Sequence, residues 1–206
     1  MKSHLIMNIF PIKETDLVEA AEILGSSFKN YEVMRYLFDD SGDNYEAHIT
    51  EFFLSFYQFG LANRWPCYGV KVNNLWVAVA LGYNSSELEI VKGSDDVLTE
   101  FYKKISPQAS RRIEQYEQQA DAAHPKSAHF FIDSIGTHPH HQGKGYAKAL
   151  ILKYQDLSKS HAHSTGVGLN TESDNNINFY QYLGYEVQNR QNIGSLTSWS
   201  LFRADD

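Results

Sequence analysis

Cysteine is almost absent from this chain: Cys67 is the single one in 206 residues, which excludes an internal disulfide and any cysteine-built metal cluster. A thiol half-buried in a strand is the expected place for it, ahead of a nucleophile. No apolar run reaches the roughly 18 residues that a membrane-spanning helix needs. The opening stretch MKSHLIMNIF also lacks the longer apolar core and small-residue cleavage site of a signal peptide. A soluble, cytoplasmic protein without a membrane partner is expected. Basic residues are in deficit, with 18 Lys and Arg against 25 Asp and Glu for a formal net charge of −7. That balance argues against nucleic-acid binding, which needs counter-charge for phosphates, and leans toward a cationic substrate. There is no internal repeat and no low-complexity linker. One domain over residues 1–206 is expected, and its 42% hydrophobic content is enough for one core.

Against these absences stands one stretch rich in signals, His129 to Leu152, which reads HFFIDSIGTHPHHQGKGYAKALIL. His129 to Thr137 alternates aromatic and β-branched residues with smaller ones, which predicts a strand. From Gly143 to about Ser160, Tyr146, Ala149, Leu150 and Leu157 recur at helical spacing. Between them lies Gln142-Gly143-Lys144-Gly145. A glycine-rich turn that opens a helix leaves the first N–H groups unpaired at the positive end of the helix dipole, and that is an anion site suited to phosphate. A Walker-type loop would need Ser or Thr directly after Gly-Lys, where Gly145 stands; a dinucleotide fingerprint would need Gly or Ala where Lys148 stands.

The remaining pattern, Gln142-Gly143-Lys144-Gly145-Tyr146-Ala147 after a strand, resembles the Q/R-x-x-G-x-G/A signature of the GCN5-related N-acetyltransferase (GNAT) superfamily. A second block about thirty residues on, Leu169-Asn170-Thr171 to Asn176 and Tyr180 followed by Leu183-Gly184-Tyr185, is similar to the family's later motif. The resemblance covers roughly the last eighty residues well. It implies an acyl-CoA N-acyltransferase fold and an enzyme that moves an acetyl group from acetyl-CoA to an amine, with no metal. It further implies that pantetheine pairs with the backbone of Ile135, Gly136 and Thr137, and that the pyrophosphate rests on the amides from Gln142 through Gly143, Lys144, Gly145 and Tyr146 to Ala147. Lys144 either adds charge there or stands as a solvated lysine. Tyr180 would protonate the departing thiolate, positioned by a helix that begins near Asn176.

The rest of the chain fits that outline. Met7 to Ile12 predicts a strand; Thr15 or Asp16 caps a helix over Leu17 to Leu24, with Gly25 ending or bending it. A second helix is expected from Tyr45 to Leu61. Pro66 to Val72 and Trp76 to Tyr83 read as a hairpin about Asn73-Asn74, and the second run is apolar enough for a central strand. Residues 94–126 read as one or two inserted helices divided at Pro107, either a solvated flank or a lid. A strand from Ser164 to Thr171, the Tyr180 helix stopped by Gly184, and a closing hairpin about Gly194-Ser195 complete the order. The fold class is mixed α/β, a mostly antiparallel central sheet flanked by helices, with a helical insertion before the central strand.

For a general base, Asp133 is the first candidate. Period-two alternation places it on one face with Phe131 and Ile135, and a carboxylate among aromatics has its pKa raised. Glu172 is the rival, and relay through water the third route. Many relatives read Leu-Glu-Thr where this chain has Leu169-Asn170-Thr171, so no base carries over to position 170. The aromatic residues from Tyr31 to Tyr68 serve as core, with some lining an acceptor pocket. His138, His140 and His141 read as loop residues and His161 and His163 as helix-end residues, without a metal. The expected acceptor is the primary amine of a small molecule, reached in a direct ternary complex. A protein or peptide amine and a non-catalytic acetyl-CoA sensor are the alternatives. The protein is expected as a monomer, or as a homodimer paired through its closing hairpin.

Overall fold

The computed structural model describes residues 7–206; residues 1–6, part of the stretch weighed above against a signal peptide, lie outside the described residues. Seven strands form one sheet in the order β1 (Ile9–Pro11), β2 (Cys67–Val72), β3 (Leu75–Asn84), β4 (Phe130–Thr137), β5 (Gly166–Thr171), β7 (Leu196–Ala204), β6 (Glu186–Ile193). Every neighbouring pair is antiparallel except β4 with β5. The mixed α/β class, with a mostly antiparallel sheet between helices, is what the residue pattern predicts. Among the described residues no helix is long and apolar enough to cross a membrane.

The β2–β3 hairpin forms because Asn73 and Asn74 both accept positive φ, 52° and 65°, as a two-residue turn of the primed type requires. It delivers β3 to the middle of the sheet. There Ala78 and Ala80 pack with Leu150, Ile151 and Tyr154 of α6 (Tyr146–Ser160). Val79 and Leu81 pack on the opposite face with Leu24 of α1 (Leu17–Phe28) and with Ile49 and Tyr57 of α3 (Tyr45–Ala62). Each large side chain so buried contributes about 1.5–3 kcal/mol. The Tyr154 hydroxyl donates to the carbonyls of Pro66 (2.6 Å) and Ala80 (3.3 Å), passing Gly82, where an added Cβ would lie 2.6 Å from the tyrosine ring. This pin fixes α6, and with it the turn that opens α6, beneath the sheet.

Three local expectations change. Gly25 does not end the first helix, since α1 continues to Phe28. The glycine is instead where α3 crosses, an added Cβ meeting Thr50 Oγ1 at 2.4 Å. Asp16 precedes α1 but makes no side-chain cap; its carboxylate accepts from the Lys13 amide and the Trp76 indole instead. A short helix unforeseen in the sequence, α2 (Glu32–Leu37), turns the chain between α1 and α3.

Residues 94–126 do fold as two helices, α4 (Asp96–Tyr102) and α5 (Pro107–Ala122). Pro107 divides them because it occupies the first position of α5, where its missing N–H costs nothing, while Ser106 Oγ caps the Ala109 amide at 2.9 Å. Arg112 fastens α5 to the end of α2 through the Leu37 carbonyl (2.9 and 3.1 Å) and an ion pair with Asp40. That fastening makes α5 a fixed wall rather than a loose flank.

Candidate active site

Two strands that pair and then part create the site. β4 pairs with β5 only from Phe130 to Ile132, opposite Val167 to Leu169, although β4 continues to Thr137. Beyond that point its backbone is held by β3 on one side and, among the described residues, has no strand on the other, so an extended amide chain can add there. A bulge shapes the same stretch: Leu81 faces Ser134 and Gly82 faces Ile132, leaving Asp133 as the extra residue. The bulge corrects the period-two reading. Phe131 stacks on Tyr83 (centroids 5.4 Å apart), whereas Ile135 lies opposite Ala80 and packs toward α6, so these two side chains do not share a face. A cavity of about 1110 Å³ occupies the opening.

At one end of the cavity stands the glycine turn. Gly143 and Gly145 have φ of 75° and 85°, values at which a side chain is strained. Nothing lies within 4 Å of where a Cβ on Gly143 would stand. Among the described residues no side chain caps the α6 N-terminus, so these leave its first amides open to an anion. Gln142 holds the turn to β4 by donating from Nε2 to the Thr137 carbonyl at 3.2 Å. A phosphodiester therefore fits this end. Of the residues named from the sequence, Ile135, Gly136, Thr137, Gln142, Gly143, Gly145, Tyr146 and Ala147 line the cavity. Lys144 is exposed and does not, and one turn later Lys148 does. The His138 and His140 rings lie 5.3 Å apart in the preceding turn, and His141 also reaches the cavity wall.

The other end is made of side chains. Tyr180, on α7 (Asp174–Tyr182), is 7% exposed and lines the cavity. Burial, and then the neighbouring Tyr31, Tyr185 and Glu172, push its pKa up, so the phenol keeps its proton. Asn176, in the first turn of α7, donates to Thr171 Oγ1 at 3.2 Å; that hydroxyl shares a 2.7 Å hydrogen bond with Tyr31, which accepts the Glu172 amide at 3.0 Å. The Glu172 carboxylate is 5% exposed and accepts from Tyr116 (2.8 Å) and Ser198 (2.9 Å). This network knits the α1–α2 connection, α5, β5 and β7 around the base of α7.

Asp133 is exposed to water within the cavity, whose walls crowd around it. Burial and the Asp121 charge raise its pKa to about 7. Sequence reasoning missed the partners that α5 brings to it. Ile113, Tyr116, Glu117, Ala120 and Asp121, followed by His124, line the cavity as one helical stripe. The signal was present in the spacing: carboxylates at 117 and 121 share the face already marked by Ile113 and Ala120. Glu117 is raised to about 7, by burial first and then by Asp133, and its Oε1 is buried with no partner among the described residues. His124 sits between the Tyr83 hydroxyl (3.3 Å) and the Asn170 amide (3.2 Å), and burial lowers its pKa to about 4, so the ring is neutral. Cys67 is buried, its thiol pushed up by burial, and it does not line the cavity.

Residues 34–185 match the acetyltransferase (GNAT) family. Solved structures agree along nearly the whole chain. A protein from Corynebacterium glutamicum, described as histone acetyltransferase HPA2 and related acetyltransferase, superposes with a TM-score of 0.67 at 15% identity, covering 97% of each chain. A Drosophila melanogaster polyamine N-acetyltransferase, which forms N-acetylagmatine, gives 0.65 at 15% identity over 95% of this chain and 98% of its own. The yncA protein of Salmonella typhimurium, solved with its cofactor acetyl-CoA, gives 0.57 at 17% identity over 97% and 94%. At these identities the likeness is one of fold.

Proposed function

Because the chain belongs to the acetyltransferase (GNAT) family and is on that ground an acetyl-CoA-dependent acyltransferase, we propose that it acetylates the primary amine of a small molecule by direct transfer in a ternary complex. One observation carries this reading. A single cavity joins the free amides of the α6 turn to Tyr180 and Asp133, so donor and acceptor can lie side by side. No nucleophile of the protein is required, and the only thiol is buried elsewhere.

In the transfer a C–N amide bond forms as the C–S thioester bond breaks. An ammonium cannot attack, so its proton must leave first. Asp133 takes that proton, since a carboxyl titrating near 7 is mostly ionised at slightly alkaline pH yet basic enough to accept it. Glu172 serves less well because the Tyr116 and Ser198 hydroxyls already occupy one of its oxygens. Backbone N–H groups at the β4 bulge are the donors available to the thioester oxygen as it gains charge. Tyr180 supplies the proton for the departing thiolate. A phenol is intrinsically a weaker acid than a thiol, but desolvation in the same cavity raises both, and the transfer is made within a hydrogen bond. The turn from Gln142 to Ala147, with Lys148 beside it, holds the pyrophosphate.

The test is thiol release from acetyl-CoA across a panel of amines, with Tyr180→Phe and Asp133→Asn beside the parent and coenzyme binding measured by calorimetry. The reading requires amine-dependent thiol release, lost in Tyr180→Phe while coenzyme binding persists. Coenzyme binding without turnover on any amine would contradict it.

A further inference from the structure

The transfer just proposed uses one carboxylate, Asp133, whereas the acceptor end of the cavity presents several. Charge on the cavity wall is unequal: among the described residues Lys148, in the first turn of α6, is the only lysine or arginine there, while Glu117, Asp121, Asp133 and Glu172 all line it. Glu172 is answered by two hydroxyl donors. Among the described residues Glu117 and Asp133 have no ion-pair partner, and Asp121 has only the His124 ring at 3.8 Å, which is neutral. Two further groups there lack partners: Glu117 Oε1, and the hydroxyl of Ser134, a residue 7% exposed that lines the cavity beside Asp133. A buried polar atom left unpaired on a cavity wall is one that a ligand can complete.

The reacting nitrogen must be neutral when it attacks, so a pocket built for it alone needs one proton acceptor. Additional negative charge would hold the ammonium form and slow the reaction. Glu117 and Asp121, one helical turn apart on α5, are that additional charge. The same cavity wall carries Trp65, Tyr83, Tyr102 and Phe131, faces that accept methylene groups and cations alike. Asp121 lies nearest the solvent, its side chain 72% exposed.

We infer that the acceptor is a dicationic amine, a primary amine joined by an apolar spacer to a second ammonium or guanidinium group that keeps its charge through the reaction and binds Glu117 and Asp121. This rests on the amine acetylation proposed above. Asp133 and Tyr180 handle the reacting end, and the α5 carboxylates set which amine is taken.

The experiment compares kcat/KM for an α,ω-diamine and an aminoalkyl-guanidine with an alkylamine and a phenylalkylamine of matched length, in the parent protein and in Glu117→Gln/Asp121→Asn. The dications are expected to be favoured at least tenfold. The double variant should cut that ratio at least fivefold through KM, with its melting curve confirming that it folds. Equal or better use of the monoamines, or an equal loss for both classes in the variant, would overturn the inference. Calorimetry of the same amines with the coenzyme A-loaded protein separates the two layers. Dication binding that depends on Glu117 but comes without turnover would keep the cation site and remove acetyl transfer; no preference in binding would remove the cation site.

Discussion

The two ends of the cavity are built from different materials. At the α6 turn the ligand meets backbone: free amides, two glycines with positive φ and a helix dipole, with Gln142 as the clamp. At the other end it meets side chains drawn from β4, α5, α7 and the α1–α2 connection, two of them carboxyls displaced to about 7. The backbone amides of the turn carry no titratable group and are themselves insensitive to pH. A side-chain site that crowds like charges in a partly desolvated space is pH-sensitive, costs stability, and can change its ligand by point substitution. On the proposed function, recognition of a constant cosubstrate and of a variable acceptor fall to different parts of the chain.

Substitutions should separate the two ends in descending order of effect. Tyr180→Phe removes the acid but leaves the turn intact, and is expected to lower kcat by about 100-fold or more with coenzyme affinity unchanged. Asp133→Asn should lower kcat/KM by a comparable or smaller factor and flatten its pH profile. In the parent protein activity should fall as pH drops below about 7, because the protonated carboxyl accepts nothing. The opposite end breaks differently. Gly145→Ala forces a side chain to φ of 85°, a strain of roughly 1–2 kcal/mol that should weaken coenzyme binding about tenfold and leave the pH profile in place.

Stability sharpens the contrast further. Asp133 and Glu117 bind protons more tightly folded than unfolded, about 7 against ordinary values of 3.8 and 4.5. Folding therefore takes up protons, and stability falls as pH rises through the window from about 4 to about 7. Glu117→Gln should raise the melting temperature by a few degrees at pH 8 and change it little at pH 5. Lys144→Ala marks the small end of the scale: its exposed side chain stands off the cavity wall, and coenzyme affinity is expected to stay within about twofold.

This division also explains what could be read from the sequence. The α6 turn was legible because its shape is set by consecutive residues, with the glycines at 143 and 145 taking positive φ. Tyr180 was legible through its fixed interval from Asn176 and the Leu183-Gly184 stop. The sheet was legible in most strands because Asn73-Asn74 and the apolar run after it leave few choices. The bulge at Asp133 was not, since it depends on how β4 meets Leu81 and Gly82 across the sheet. Nor were Glu117, Asp121 and His124, which join the site only because Arg112 grips Leu37 and Asp40, and Ser106 donates to Asp40, fastening α5 beside α2. The 66 to 75 residues separating those partners leave no local signature. Tyr31, foreseen only as one of several aromatic candidates, reaches Thr171 and Glu172 across 140 and 141 residues of sequence.

The most direct test of direct transfer in one cavity is rapid mixing of the protein with acetyl-CoA, with and without an accepted amine, following free thiol and the mass of the protein. The account predicts thiol only when amine is present, and a protein mass that never gains an acetyl group. A burst of thiol equal to the enzyme concentration without amine, together with an acetylated protein, would contradict it.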